Sequence, residues 1–204
     1  MPFLLAFAAV LGLWVVAGVS TGHWSILKYV EGADGRASTS KFQWLFWTVV
    51  VFFAYTAAYV ARARYGYLEQ LPSVPQNLLI LMGISAGTMA GAKAITQTQV
   101  NQRKIVKAAP DPRDQQSGMG ALVNDDDAVP DLTKIQMLGW SLLIAAIYLS
   151  RVVQMVHAYD ARDNDLTQLP DIDTALMVLM GVGHGGYLAK KSASAAPPQA
   201  AVHN

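Results

Sequence analysis

Ser40-Lys41-Phe42-Gln43-Trp44-Leu45-Phe46-Trp47-Thr48-Val49-Val50-Val51-Phe52-Phe53-Ala54 is the stretch on which the fold turns, because its signature occurs twice. Thr133-Lys134-Ile135-Gln136, followed by Trp140, opens a second apolar run 93 positions later. Past the first run come Leu71-Pro72 and Leu81-Met82-Gly83. Past the second come Leu169-Pro170 and Leu179-Met180-Gly181, now 98 positions later. Lys93 and Lys191 close the two stretches at that same separation, so the halves correspond apart from five extra residues in the second connection. Self-similarity at a fixed period points to architecture before function, and tandem apolar hairpins are a membrane-protein pattern.

Residues 49–54 carry no polar position, whereas a surface helix of a soluble domain shows a polar stripe. Of the 204 residues, 53% are hydrophobic and 14% charged, against about a quarter charged in an ordinary soluble domain. Apolar runs cover 2–20, 43–61, 76–92, 135–152 and 173–189. At 1.5 Å per residue each reaches about 26–30 Å, the thickness of the hydrocarbon layer. The expectation is an all-α integral membrane protein with five transmembrane helices, one N-terminal helix plus two tandem parallel-repeat hairpins. Residues 1–38 hold the first helix and an inner linker, and 39–95 hold hairpin one. A flexible cytoplasmic linker follows at 96–130, then hairpin two at 131–191 and a disordered tail at 192–204. Only Met1-Pro2 precedes the first run, without the positive residues of a secretory signal, so that helix reads as retained.

With five spans and the N-terminus outside, the inner segments hold 11 Lys and Arg residues and the outer ones 4. Positive residues concentrate on the cytoplasmic side, which favours an outer N-terminus and an inner C-terminus, in a bacterial plasma membrane. Both hairpins then point the same way, with a pseudo-twofold axis along the membrane normal as the natural relation between them.

Ser40-x-x-Gln43 and Thr133-x-x-Gln136 have the spacing of a capping box, in which a hydroxyl and an amide satisfy orphan N–H groups at a helix start. Lys41 and Lys134 suit snorkelling to inner headgroups, and Trp47 and Trp140 suit an interface belt. The competing reading is a Lys/Gln ring at the mouth of a pore. Ser73 and Asp171 read as N-caps of the return helices, and Pro75 suits a first turn. Tyr55 and Tyr148 read as outer-leaflet packing residues.

Gly83, Gly87 and Gly91 are spaced by four, and Gly181, Gly185 and Ala189 match them. Small residues at this spacing let another backbone approach, within one chain or between chains. His184 is the one ionisable residue deep in a run, with Ala86 at the matching position of the first copy. Ionisable groups inside a membrane are functional candidates. Haem ligation or proton relay would need a second ligand or a carboxylate at similar depth, which the runs lack, so a neutral histidine bonded within the bundle, near Ser85 and Thr88, is the plainer expectation. No cofactor is expected, and with no cysteine no thiolate metal site exists.

Asp160, Asp163 and Asp165 resemble part of a calcium loop but lack its Gly and terminal Glu, which leaves a solvated loop. Residues 96–130 are basic first (Arg103, Lys104, Lys107) and acidic last (Asp125, Asp126, Asp127). Such a segment suits anionic headgroups or a soluble partner. Net charge of +1 gives no nucleic-acid signature. With no phosphate loop, nucleophile motif or carboxylate pair in the runs, the chain reads as no enzyme. It reads as a structural or anchoring multi-pass subunit that associates with itself or with other membrane subunits. The alternative is a small oligomeric channel or transporter with a polar path near His184.

Overall fold

The computed structural model describes residues 1–32, 35–69, 71–102, 119–125, 129–159 and 166–193. Among them the chain is helical, with isolated bridges and no strand. The helices are α1 (Pro2–Thr21), α2 (Ile26–Val30), α3 (Thr39–Ala63), α4 (Gln76–Asn101), α5 (Leu132–His157) and α6 (Thr174–Ala193), with a 3₁₀ turn at Met119–Leu122. Four of them, α1, α3, α4 and α5, are long and apolar enough to cross a membrane. Glycines, His184 and Lys190-Lys191 dilute α6, which is not one of the four.

Each boundary has a local cause. Pro2 opens α1, where its missing N–H costs nothing. Gly22 ends it in the left-handed conformation at φ 72°, its N–H on Gly18 O at 2.9 Å. Trp24 then folds back over Gly18 and meets Trp14 edge-on at 6.1 Å. At α5 the N-cap is Asp131, whose Oδ1 accepts from Thr133 N at 2.9 Å. The cap therefore lies two residues before Thr133, and the capping box read at Thr133 and Gln136 does not form. The carboxylate also complements the positive end of the helix dipole. At α3 the N-cap is Ser38, so Ser40 lies inside the helix and the box at Ser40 and Gln43 does not form. Ser73 and Asp171 do not cap either. Pro75 precedes α4, and Asp173 Oδ1 accepts from Ala175 N at the start of α6. α4 also runs six residues into the stretch read as linker, to Asn101.

α3, α4, α6 and α5 form a ring: α3 touches α4 and α5, and α6 touches α4 and α5. The contacts Gln43–Met137 and Thr88–His184 show that α3 and α5 run parallel, as do α4 and α6. α1 lies antiparallel on α3, with Phe3 beside Phe53 and His157 at the end where the hairpins turn. All three of those chain segments, the start of α1 and the two connections, share one end of the bundle.

This ring order corrects the pseudo-twofold. A twofold along the bundle axis would set α3 and α5 on opposite corners, whereas here they are neighbours. The hairpins are laid side by side by translation. Each must then turn a different flank towards the shared interior, about a quarter turn apart. The burial pattern records that rotation. The signature residues match at 93, but the buried positions Gln43, Trp47, Val50, Ala54, Ala58 and Arg62 match Met137, Ser141, Ile144, Tyr148, Val152 and Val156, at 94. Likewise Leu81, Ser85 and Thr88 match Met180, His184 and Tyr187 at 99, one more than the sequence separation of 98. One residue is about 100° of helix, close to the quarter turn required.

Ahead of α3 and α5 the separation of 93 is kept atom for atom. Gly32 N bonds Arg36 O and Asp125 N bonds Val129 O; Ser38 N bonds Val30 O and Asp131 N bonds Val123 O. Lys41 Nζ reaches back to Glu31 O and Lys134 Nζ to Asn124 O. The two lead-in segments pack together through Val30, Ala37, Ala121 and Leu122, so residues 119–125 belong to a small core rather than to a loose linker. That apolar pair is too short to stand out from a polar stretch. At the other end the two connections join as well: Ser73 N bonds Thr167 O at 2.7 Å, Leu169 N bonds Ser73 O at 3.0 Å, and Asn77 Nδ2 reaches Asp171 Oδ2 and Ile172 O. The acidic loop 160–165, the stretch 103–118, Asp126 and Asp127, and the tail from 194 lie outside the described residues.

Candidate functional site

The interior of the ring is not uniformly apolar. Gln43 on α3 is in phase with Trp47, Val50 and Ala54, and so is carried inward with them. Its Nε2 donates to Met137 O at 3.3 Å and to Ser141 Oγ on α5. A carbonyl only accepts, which fixes the amide nitrogen on that side and turns Oε1 away from α5. On the opposite pair, His184 Nδ1 lies 2.7 Å from Thr88 Oγ1. Gly183 connects the two pairs. A Cβ there would stand 3.6 Å from Met137 Cα, so α6 passes close to α5 at the very residue that Gln43 bonds. Gln43, Thr88, Ser141 and His184 therefore share one layer across all four helices.

Several polar atoms in or beside this layer have no partner among the described residues: Gln43 Oε1, Trp47 Nε1, Ser85 Oγ and His184 Nε2. Their residues are 1%, 0%, 0% and 2% exposed, so bulk solvent does not serve them. Each buried group left unbonded costs about 1–3 kcal/mol. Tyr148 OH, nearer the connections, is in the same condition. In burial register His184 occupies the position of Ser85, not that of Ala86.

The other predicted residues fall into distinct settings. Gly91 and Gly181 face the α4–α6 seam, against Leu188 at 3.5 Å and Ile84 at 3.9 Å. Gly83, Gly87 and Gly185 point outward, where a Cβ would meet nothing within 4 Å, and Ala189 is exposed too. They do not pack this chain against itself. The glycine at which the backbone of another helix comes close is Gly183, whose signal was its place beside His184 rather than any spacing. Trp47 is a core residue and not an interface anchor, while Trp140 is half-buried. Lys41 and Lys134 bond lead-in carbonyls, and Gln136 is exposed, so no Lys/Gln ring forms. Tyr55 is half-buried and Tyr148 fully buried. Ser141 was missed, although its phase with Met137, Ile144 and Tyr148 marks it as inward.

At the far end of the α5–α6 pair, Lys190 Nζ sits 2.9 Å from Asp131 Oδ2. Burial raises the Asp131 carboxyl, but the two bonds from Thr133 and the Lys190 ammonium outweigh it and hold it below its ordinary value. Among the described residues no three His, Cys, Asp or Glu side chains gather as a metal site. No family model matches the chain, nor does a curated protein sequence or a solved structure.

Proposed function

We propose that the chain is a non-enzymatic, multi-pass membrane subunit that assembles through the outward glycine-bearing face of α4 and α6. The observation that carries this reading is the open space at Gly83, Gly87 and Gly185, bordered by exposed Leu79, Ile80, Val178, Leu179 and Val182. Glycine in a helix interior is unfavourable by about 1 kcal/mol relative to Ala. Three glycines with no close neighbour in their own chain are consistent with a partner helix that needs the groove. A second copy or another membrane subunit supplies it, and the segment around 96–130 is where a soluble partner would dock.

In this reading α6 is the fifth span. Its 20 residues reach about 30 Å, and it runs antiparallel to α5 over its full length. The matched hydrogen bonds at a separation of 93 support a tandem duplication that includes the lead-ins as well as the hairpins. The bilayer is a bacterial plasma membrane, with the N-terminus and both connections outside and the C-terminus inside.

Gly87→Leu tests the assembly. The expected result is a smaller particle in mild detergent with unchanged monomer stability. A variant that keeps the wild-type particle size would overturn the reading.

The buried polar layer favours a second reading, a small channel or transporter with a path past His184. Ion flux into liposomes that drops in His184→Ala would establish it, and the same leak in both proteins would dismiss it.

A further inference from the structure

We propose that the layer around His184 is a built site for internal water, with the imidazole held as its Nδ1–H tautomer and its Nε2 lone pair presented to that water. Thr88 decides the tautomer. Its hydroxyl has one proton, and Oγ1 donates it to Ile84 O at 2.8 Å, the ordinary back-bond of a helical threonine. The 2.7 Å contact with His184 Nδ1 must then be donated by the ring. A neutral imidazole with its proton on Nδ1 has a bare acceptor at Nε2, and Nε2 is buried without a partner among the described residues.

The same accounting applies to the neighbours. Gln43 has committed its amide N–H groups to α5, which leaves Oε1 as a second orphan acceptor. Trp47 Nε1 is a donor only, and Ser85 Oγ can donate as well as accept. Acceptors and donors are thus both present, contributed by α3, α4 and α6, yet none reaches another directly. Water has two donors and two acceptors, and a buried site that holds it offers two to four polar partners. The layer supplies four, on side chains at most 2% exposed. Within the apolar ring this makes one hydrated, proton-exchanging spot, distinct from the outward glycine face and independent of any assembly there.

Nitrogen-15 NMR of histidine-labelled full-length protein in lipid bilayers reads the site directly. The His184 signals are those lost in His184→Gln. The expected result at neutral pH is a protonated Nδ1, an unprotonated Nε2, and rapid magnetisation transfer from water to the ring. The double variant Gln43→Leu, Ser85→Ala should keep the tautomer and lose most of that transfer. Thr88→Val, which removes the Nδ1 partner together with the threonine's own back-bond to Ile84, should mix the two tautomers and gives an independent assignment where His184→Gln does not fold. A proton found on Nε2, or a ring that receives nothing from water, overturns the proposal.

Discussion

Gly18 and Gly87 are both helical glycines in apolar surroundings, but a side chain would meet opposite things at the two positions. At Gly18 a Cβ would lie 2.7 Å from the Trp24 ring, whereas at Gly87 it would meet nothing within 4 Å. Gly18→Leu must push Trp24 off α1, and overpacking of this kind costs about 1–3 kcal/mol. A lower thermal midpoint in detergent, with a shift in Trp24 fluorescence, checks this; an unchanged midpoint would show that Trp24 does not hold the turn. Sequence spacing picked out Gly87 and passed over Gly18, because a fold-back contact across the Gly22 turn leaves no periodic trace. Gln43 is the opposite case. Its inward phase with Trp47 and Val50 was legible in the sequence, but the capping spacing offered a simpler use for the same side chain.

The elements themselves were legible because an uninterrupted apolar run of this length has few alternatives to a helix. Their ends were less so. Ser, Thr and Asp compete for one cap within three residues, and the winner depends on what else each can bond. Asp131 wins at α5 because Thr133 and, from α6, Lys190 both serve its carboxylate. Asp131→Ala should cost about 0.5–2 kcal/mol, the usual value of an N-cap. Its folded carboxyl titrates below the ordinary 3.8, so the contribution is complete above about pH 4 and is lost as pH falls through the lower folded value. Wild type and Asp131→Ala should therefore converge in stability below pH 4 and stay apart at pH 7. A constant gap across that range would place the effect in packing instead. The ring order had no such local cue. It rests on contacts such as Thr88–His184 and Ser73–Thr167, between residues more than 90 apart in the chain.

For the whole molecule the strongest constraint is direction. The start of α1 and both connections share one end, and the lead-ins to α3 and α5 share the other. In a bilayer a reporter fused after residue 66 and one fused after residue 115 should therefore report opposite sides. Both on the same side would refute a five-span arrangement. The one-residue rotation between the halves bears on a different matter, that of spare parts. Two segments that share a signature are not interchangeable. A chimera carrying residues 39–63 in place of 132–156, with the signatures aligned, would send its second Gln43 to the outside, where Gln136 lies. Ser141 would be replaced by Thr48 and Met137 by Trp44, so the first Gln43 would lose the serine that it bonds. Descent from one hairpin would have left two specialists, each cut to fit the flank of the other.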